Sequence, residues 1–407
     1  RQYTKNIRFK DECLEDILRV VNAEARRKNH NNYGTTLQAY ATVRILKSLN
    51  YDVEIIRYIK KRGLWGTLCA LPEYLRSGGK SELLIRLNKK IKGLYLHSYK
   101  KNNNIRNQAV EKFKENYFEP LCKYFNGYEE LKEGSRKYDI CLTGSDQLWH
   151  PMGFASGFYN LMFVDDRVPK ISYASSFGVS NIPTHQIEGT REYLKRFNWI
   201  SMREQRGVEI VESITNIKPS FVCDPTMLLT KEEWIDFANS SKFKIKDPYI
   251  FCYFLGERKD IRKHANELKD KTGCKIIVMR HVDKYLKMDD KFGDYAPYDV
   301  SPIDFVSLLL NAKYVLTDSF HGTIFSIMLE KQFITFYRVK PTTSGSTHSR
   351  IDSLLSKFLL QDRLFKSDIY NEINEPINYS EVTPKVCKFR IESLNLLKDN
   401  LEKCQKS

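Results

Sequence analysis

The stretch 314–327 constrains the fold of this chain more than any other, and it reads Tyr-Val-Leu-Thr-Asp-Ser-Phe-His-Gly-Thr-Ile-Phe-Ser-Ile. Its apolar start predicts a buried strand, and its apolar end is typical of a buried helix. Thr317, Asp318 and Ser319 lie between them and favour a turn and a helix N-cap. Because ligands of open α/β sheets bind at the carboxyl ends of strands, the stretch predicts a strand–turn–helix unit with a ligand-binding end.

The turn of this unit carries the residues from which we expect chemistry. The start of a helix offers unpaired N–H groups and a positive dipole end, which suit a phosphate or a carboxylate. Gly322 lets a ligand approach the backbone, and His321 can transfer a proton near neutral pH. The alternative is a capped strand end whose histidine is satisfied by a backbone carbonyl. The short sequence Ser-Phe-His-Gly, taken alone, favours that alternative.

Length and composition bound the class of protein. At 407 residues the chain is too long for one ordinary core, so two domains are predicted. No apolar run approaches the roughly 18 residues needed to cross a bilayer. The 9 cysteines include no Cys-x-x-Cys pair, so neither a zinc site nor a disulfide framework is indicated, and a reduced cytosolic compartment fits. The net charge of +16 favours an anionic partner, whether a phosphorylated substrate, a membrane face or nucleic acid.

Several other short strands are followed by small, polar or basic residues. These strand ends lie within 138–149, 170–178, 199–207 and 221–229. Two doubly wound α/β domains that face each other across a cleft would collect all of these ends in one place. The sequence therefore predicts domains at 1–245 and 246–383. It also predicts a C-terminal helix at 384–407 that packs back across the molecule.

Individual side chains at these ends have structural as well as functional interpretations. Arg203 follows a strand, where its guanidinium could hold a carboxylate or phosphate, or could pair with Glu204 or another acid. Trp149 could stack on a sugar or could be a half-buried structural residue. Asp224 precedes Pro225, which favours a rigid turn over a chemical role.

Two basic segments have a similar ambiguity. Residues 83–110 contain no acidic residue and carry apolar residues at helical spacing. This segment is predicted either to lie on an anionic membrane or to pack on its own domain. The loop 338–350 holds Lys340, His348 and Arg350, and it could close over an anion or be a flexible surface loop.

In their order along the chain, these stretches resemble the polysaccharide pyruvyl transferase family. The matching motifs are Asn-Tyr-Gly (32–34), Leu-Gln-Ala-Tyr (37–40), Gly-Ser-Asp-Gln-Leu-Trp (144–149), Tyr-Ala-Ser-Ser-Phe-Gly (173–178), Ser-Met-Arg-Glu (201–204), Asp-Pro-Thr (224–226) and Asp-Ser-Phe-His-Gly (318–322). In that family an apolar strand stands a few residues before Asn-Tyr-Gly. Here residues 25–30 are Ala-Arg-Arg-Lys-Asn-His, so we expect the first strand to be displaced, altered or missing.

The resemblance implies a fold, a reaction and a set of site residues. The fold would be GT-B-like, with two Rossmann-like domains, an acceptor side in the N-terminal one and a donor side in the C-terminal one. The reaction would move a pyruvyl group from phosphoenolpyruvate to two hydroxyls of a sugar, form a cyclic ketal and release phosphate, without cofactor or metal. The catalytic residues would be His321 and Arg203. Donor-binding residues would be Ser319, Gly322, Thr323, Lys340 and Arg350, and acceptor-binding residues would be Asn32, Tyr33, Gly34, Gln38, Ser145, Asp146, Gln147 and Trp149.

The implied acceptor is a precursor of a capsule or exopolysaccharide, which can be carried on a lipid diphosphate. The enzyme would then be cytoplasmic and peripheral at the inner face of the membrane. Two alternatives stay open: a glycosyltransferase that uses a nucleotide-sugar on the same architecture, and a non-catalytic protein that binds an anionic glycan or surface. The sequence holds no nucleic-acid motif, so nucleic acid is not an expected partner.

Overall fold

The computed structural model of the chain describes residues 15–19, 32–59, 97–281, 285–339 and 348–405. Its N-terminal half contains a sheet of 7 parallel strands in the order β3-β2-β1-β4-β5-β6-β7. The order reverses between β1 and β4, and the carboxyl ends of strands at such a reversal form a crevice for ligands. The strands are β1 (Glu15–Arg19), β2 (Val53–Ile59), β3 (Cys122–Asn126), β4 (Tyr138–Thr143), β5 (Lys170–Ser175), β6 (Trp199–Met202) and β7 (Ser220–Phe221).

The position of β1 answers the question that the N-terminal sequence raised. This strand lies well upstream of Asn32 and pairs with β2 and β4 in the middle of the sheet. Central parallel strands are buried on both faces and need apolar residues. The strand has the sequence Glu-Asp-Ile-Leu-Arg and so carries two large apolar residues, whereas the stretch 25–30 carries none.

Helices connect these strands in the usual α/β manner. They are α1 (Tyr33–Ser48), α2 (His97–Tyr117), α3 (Tyr128–Ser135), α4 (Ile187–Leu194), α5 (Gln205–Ile214) and α6 (Lys231–Ala238). The last of these begins in the stretch 230–248, where charged residues and a helical piece around Trp234 precede the predicted domain boundary. Thr230 and Glu233 form a capping box there, and Trp234 is fully buried, so this part of the stretch belongs to the core.

The C-terminal half contains a second parallel sheet, of 4 strands in the order β11-β10-β8-β9, which reverses between β10 and β8. The predicted strand–turn–helix unit is confirmed as β10 followed by α9. The strands are β8 (Tyr249–Tyr253), β9 (Lys275–Met279), β10 (Tyr314–Thr317) and β11 (Gln332–Thr335), and the helices are α7 (Lys259–Thr272), α8 (Pro302–Leu310), α9 (Phe320–Met328), α10 (Ser349–Lys357) and α11 (Ile369–Asn374). The two parallel sheets with their helices confirm the predicted α/β class of two Rossmann-like units.

A shared hydrophobic core joins the two halves. Tyr33, at the start of α1, stacks on Phe305 of α8 with ring centroids 4.8 Å apart, and its hydroxyl donates to the Val300 carbonyl at 2.9 Å. Trp234 packs edge-on against Phe325 of α9 at 4.9 Å. These contacts hold the first turn of α1 close to the carboxyl ends of the C-terminal strands.

The last helix, α12 (Tyr379–Gln405), also contacts both halves. Near its start, the Thr383 hydroxyl donates to Glu330 after α9 at 2.9 Å. Nearly three turns further on, the Ser393 hydroxyl accepts from the Cys223 amide after β7 at 2.9 Å. Within the described residues, no helix is both long enough and apolar enough to cross a membrane.

Candidate active site

The carboxyl ends of strands from both sheets converge on one buried arginine, Arg203, which follows β6. Its side chain is completely buried. One terminal nitrogen, Nη1, donates to Asp224 Oδ2 at 2.8 Å and to Ser145 Oγ at 3.1 Å, and the other, Nη2, donates to Asp146 Oδ1 at 3.0 Å. Arg203 thus links the ends of β4, β6 and β7. Both terminal nitrogens are occupied by protein acceptors.

The two carboxylates that hold Arg203 are stabilised in their charged form. Burial by itself would raise the pKa of Asp224, but the adjacent His321 and Arg203 hold that pKa far below its usual range. Burial opposes ionisation of Asp146 as well, and here Arg203 leads the groups that lower its pKa well below normal. Asp146 also has a left-handed backbone, with φ of 80°, which a non-glycine residue adopts at an energetic cost and which is typical of functional sites.

His321, in the first turn of α9, reaches this cluster from the C-terminal half. Its Nε2 lies 3.5 Å from Asp224 Oδ2, is buried and has no hydrogen-bond partner. The opposite side of the ring lies against Gly34, where an added Cβ would stand only 2.2 Å from His321 Nδ1. Gly34 is therefore required by the close approach of α1 to the histidine, and Asn32 caps that helix by accepting from the Gly34 amide at 2.9 Å.

Phe320 separates this cluster from a small polar cleft in the C-terminal half. The guanidinium carbons of Arg203 and Arg350 lie 4.8 and 5.6 Å from the centre of its ring, within the range of cation–π attraction. The cleft is lined by Asp318, Phe320, Arg338, His348, Arg350 and Ile351. Two backbone amides already bind the Asp318 carboxylate, those of Leu255 and Gly256, at 2.6 and 2.9 Å. The arginines therefore give the cleft its positive charge.

Arg350 is a buried cation with incomplete compensation. Its Nε lies 3.9 Å from Glu204 Oε2, which is too far for a hydrogen bond, and neither atom has another partner. Burial, followed by repulsion from Arg203, lowers the pKa of Arg350 to about 10. A bound anion would supply the charge and the hydrogen bond that this guanidinium lacks.

His348 completes the wall of the cleft in a neutral form. Its ring stacks on Tyr337, with centroids 3.9 Å apart and planes 13° from parallel. Burial lowers the pKa of His348, so the imidazole is uncharged at neutral pH, and its Nε2 has no partner. It can offer a hydrogen bond to a ligand without adding charge.

The predicted donor-binding residues fall into three groups. Arg350 lies in the cleft, and Lys340 lies outside the described residues. Ser319, Gly322 and Thr323 are bonded within the protein: Ser319 Oγ accepts from the Gly322 amide at 3.3 Å, and the Thr323 hydroxyl meets that of Thr335 at 2.9 Å. These three residues build the start of α9 and so place His321.

The predicted acceptor-binding residues divide in the same way. Asn32, Gly34, Ser145 and Asp146 lie around Arg203 and His321, and Gln147 is next to them, with its amide 3.5 Å from the Gly178 carbonyl. Tyr33 belongs to the shared core. Gln38 is buried and donates to the Thr35 carbonyl at 3.1 Å.

Trp149 lies in the environment of a structural residue and not in that of a residue that stacks on a sugar. Its side chain is buried among Phe177, Tyr193 and Phe197, with ring centroids 5.5–5.6 Å away, and its Nε1 donates to the Tyr159 carbonyl at 3.1 Å. The ring packs inside the N-terminal half and not against the cluster around Arg203.

Asp224 and Glu204 are site residues whose importance sequence reasoning missed. We interpreted Asp224 as part of a rigid turn. It does cap that turn by accepting from the Thr226 amide at 3.0 Å, but its other oxygen also holds Arg203. Each residue lies shortly after the end of a short strand, and that position was the available signal. Across the described ranges, no group of three or more His, Cys, Asp or Glu residues could hold a metal ion.

Solved structures similar to this chain include sugar-nucleotide and cell-wall enzymes. A UDP-GlcNAc 2-epimerase from Neisseria meningitidis is 12% identical, with 91% of this chain and 98% of that one covered and a TM-score of 0.47. A putative UDP-N-acetylglucosamine 2-epimerase from Listeria monocytogenes is 9% identical, with coverage of 96% and 95% and a TM-score of 0.48. The wall teichoic acid polymerase TagF is 12% identical, with coverage of 79% and 98% and a TM-score of 0.40.

Sequence comparison gives a more specific result. No curated protein matches the chain in sequence. The sequence profile of the polysaccharide pyruvyl transferases, however, matches residues 32–339, a range that begins at Asn32 of the α1 cap and ends at Val339, directly after Arg338 of the cleft. The match spans Asp146, Arg203, Asp224 and His321, which together form the buried cluster. The chain belongs to the polysaccharide pyruvyl transferase family.

Proposed function

We propose that this transferase takes its pyruvyl group from phosphoenolpyruvate and joins it to two hydroxyls of a sugar as a cyclic ketal. The observation that carries the proposal is the buried and undercompensated Arg350, at the edge of a cleft that also holds Arg338 and Phe320, the residue that precedes His321 in the chain. Phosphoenolpyruvate has a carboxylate and a phosphate, so its binding site needs cations with free donors.

The donor contacts follow from which guanidinium groups are free. The terminal nitrogens of Arg203 already bind Asp146 and Asp224, so two carboxylates compensate its charge and only its buried Nε has no partner. Arg350 and Arg338 face the cleft. We assign the two anionic groups of the donor to Arg350 and Arg338. We assign to Arg203 the positioning of the two carboxylates beside His321.

His321 is the proton donor in this proposal. The first sugar hydroxyl adds to C2 of phosphoenolpyruvate while C3 takes a proton from Nε2 of His321, which converts the methylene into a methyl group. The second hydroxyl then bonds to C2, and the C2–O bond to phosphate breaks. Of the two hydroxyl protons, one replaces the proton given by His321 and one leaves with phosphate. Asp224 Oδ2 lies 3.5 Å from Nε2 of His321.

The acceptor is a surface-polysaccharide precursor, and a lipid diphosphate carrier would bring it to the cytoplasmic face of the membrane. The basic segment 83–110 supports this part of the proposal, and its final portion forms the start of α2, where Lys100 and Lys101 are exposed. Equal binding of the protein to vesicles with and without anionic lipid would contradict a membrane role for this segment.

The donor assignment is tested by thermal unfolding with and without phosphoenolpyruvate. A ligand at 100 times its Kd stabilises the native state by about 2.7 kcal/mol, so wild type should show a clear rise in Tm. Arg350→Met should abolish that rise. Arg390→Met, which removes a half-buried arginine from α12, is the matched control and should retain it.

A panel of p-nitrophenyl hexosides then tests the transfer, with release of phosphate and mass spectrometry of the glycoside as readouts. Formation of a pyruvyl ketal together with phosphate release is the expected result. A rise in Tm with nucleotide-sugars and none with phosphoenolpyruvate would overturn the proposal in favour of glycosyl transfer.

A further inference from the structure

Three carboxylates lie near Arg203, and in two of them both oxygens already accept hydrogen bonds. Asp224 accepts four hydrogen bonds and Asp146 accepts three, so every oxygen of these two carboxylates has a donor. The donors to Asp224 are Thr226 N, Thr226 Oγ1, Ser145 Oγ and Arg203 Nη1, and those to Asp146 are Arg203 Nη2, Gln147 N and Thr35 Oγ1. The pKa values of both carboxyls lie below their usual range, which also disfavours protonation.

Glu204, the third carboxylate, is different because only one of its oxygens is engaged. Its Oε1 accepts from the Ser176 hydroxyl at 2.9 Å and from the Gly178 amide at 3.4 Å, and these contacts fix the direction of the carboxylate. Its Oε2 is buried and has no hydrogen-bond partner. The residue is 1% exposed, so solvent does not compensate this oxygen.

The unpartnered oxygen faces an unpartnered donor from the other half of the molecule. Arg350 Nε lies 3.9 Å from Glu204 Oε2, beyond hydrogen-bond distance, and is also buried without a partner. A hydroxyl group satisfies such a pair, because its oxygen accepts one hydrogen bond while its proton is donated to the carboxylate. A sugar hydroxyl that attacks phosphoenolpyruvate needs a carboxylate to take its proton, and here that carboxylate would lie beside the arginine that binds phosphoenolpyruvate.

We propose that Glu204 is the general base that takes the proton of the attacking sugar hydroxyl. The assignment rests on the function proposed above, in which Arg350 binds the donor. It makes Glu204 a catalytic residue, since Oε2 would touch the acceptor. Arg203, which precedes it in the chain, then acts only by positioning.

The proton transfers balance over the two steps. In the addition, the sugar oxygen bonds to C2, its proton passes to Glu204, and His321 gives a proton to C3. In the displacement, the second sugar oxygen bonds to C2 and gives its proton to the neutral His321. The C2–O bond to phosphate breaks with its electron pair on the phosphate oxygen, and that oxygen takes the proton held by Glu204. Both residues return to their starting charge, and the products are the ketal and hydrogen phosphate.

Glu204→Gln tests the proposal, because glutamine keeps the shape and the bond to Ser176 but cannot accept a proton. We expect kcat to fall by about 10²–10⁴-fold, with the acidic limb of the kcat–pH profile lost and the rise in Tm with phosphoenolpyruvate retained. Glu209→Gln, on the exposed side of α5, is the matched control and should behave as wild type. In Glu204→Ala, added formate should restore part of the activity by replacing the missing carboxylate.

The outcomes separate a base from a residue that only holds Arg350. If Glu204→Gln raised KM for phosphoenolpyruvate or removed its effect on Tm, while kcat and the acidic limb were unchanged, Glu204 would be a positioning residue and the proposal would be wrong. A kcat within about threefold of wild type would also overturn it. If wild type showed neither a rise in Tm with phosphoenolpyruvate nor transfer to any glycoside, the failure would lie in the proposed function.

Discussion

Gly34→Ala should separate activity from stability, because α1 approaches His321 through a residue without a side chain. An added Cβ would stand 2.2 Å from Nδ1, 2.4 Å from Cγ and 2.7 Å from Cβ of His321, whereas ordinary contacts begin at 3.4 Å. The imidazole would have to move by about 1.2 Å, the difference between the shortest of these distances and an ordinary contact. These three atoms lie at or next to the point where the ring joins the side chain, so rotation of the ring alone cannot relieve the clash.

A displacement of this size has a predictable effect on catalysis. A misplacement of about 1 Å can lower a rate by about 10²-fold, so we expect that loss in kcat for pyruvyl transfer. The unfolding free energy should change by less than the activation free energy of the transfer does. Overpacking costs about 1–3 kcal/mol, and the better helix propensity of alanine offsets up to about 1 kcal/mol of it. The assay is phosphate release with a working glycoside acceptor, alongside thermal unfolding.

Gly153→Ala is the matched control. A Cβ added there would meet only the Leu148 carbonyl oxygen, at 3.8 Å, and not His321. This variant should keep wild-type kcat. If Gly34→Ala also kept kcat within about threefold, the reasoning would fail at one of two points: His321 would not transfer the proton, or the contact would not fix its ring. A crystal structure of the variant would show which.

Three further predictions test the assignments around the site. Arg350→Met removes a cation whose charged form is disfavoured by burial, as its lowered pKa indicates, so the unliganded protein should lose no more than about 1 kcal/mol of unfolding free energy. A loss above about 3 kcal/mol would mean that this arginine has a structural role. Asp224→Asn should cost about 3–5 kcal/mol at pH 7, since it leaves a buried guanidinium short of a partner. Because the folded-state pKa of Asp224 lies below the unfolded value, the difference in unfolding free energy between the variant and wild type should stay constant down to about pH 4 and shrink below it. Urea unfolding at several pH values measures this difference, and a difference that shrinks well above about pH 4 would contradict the prediction. Trp149→Phe loses its hydrogen bond to Tyr159 and should lower stability by about 1–3 kcal/mol without changing KM for the glycoside, and a raised KM would restore a role in stacking on the sugar.

Local patterns predicted the elements that build the site. The apolar run before Thr317 predicted β10, and the N-cap residues that follow it predicted the start of α9. Such signals are reliable because strand burial and helix capping depend on residues close together in the chain. Displacement of the first strand was one of three alternatives that the sequence left open, since its pairing with β2 and β4 is made across long stretches of sequence.

Roles that depend on distant partners were not predictable in the same way. Arg203 could equally have held a substrate or an acid, and in the fold its terminal nitrogens bind Asp146 and Asp224, which arrive from the ends of two other strands. Glu204 was considered only as a possible partner for Arg203. In the fold it faces Arg350, which follows it by more than 140 residues and belongs to the other half.

The sequence by itself determined the α/β class, the order of the strand ends and the family to which the chain belongs. These properties follow from hydrophobic periodicity, turn chemistry and the order of short motifs, all of which are local. Only the tertiary structure decided which charges are neutralised and which are left open. Compensation of a buried charge depends on distances of a few ångströms between residues from different strands, and those distances exist only after the two sheets have packed together.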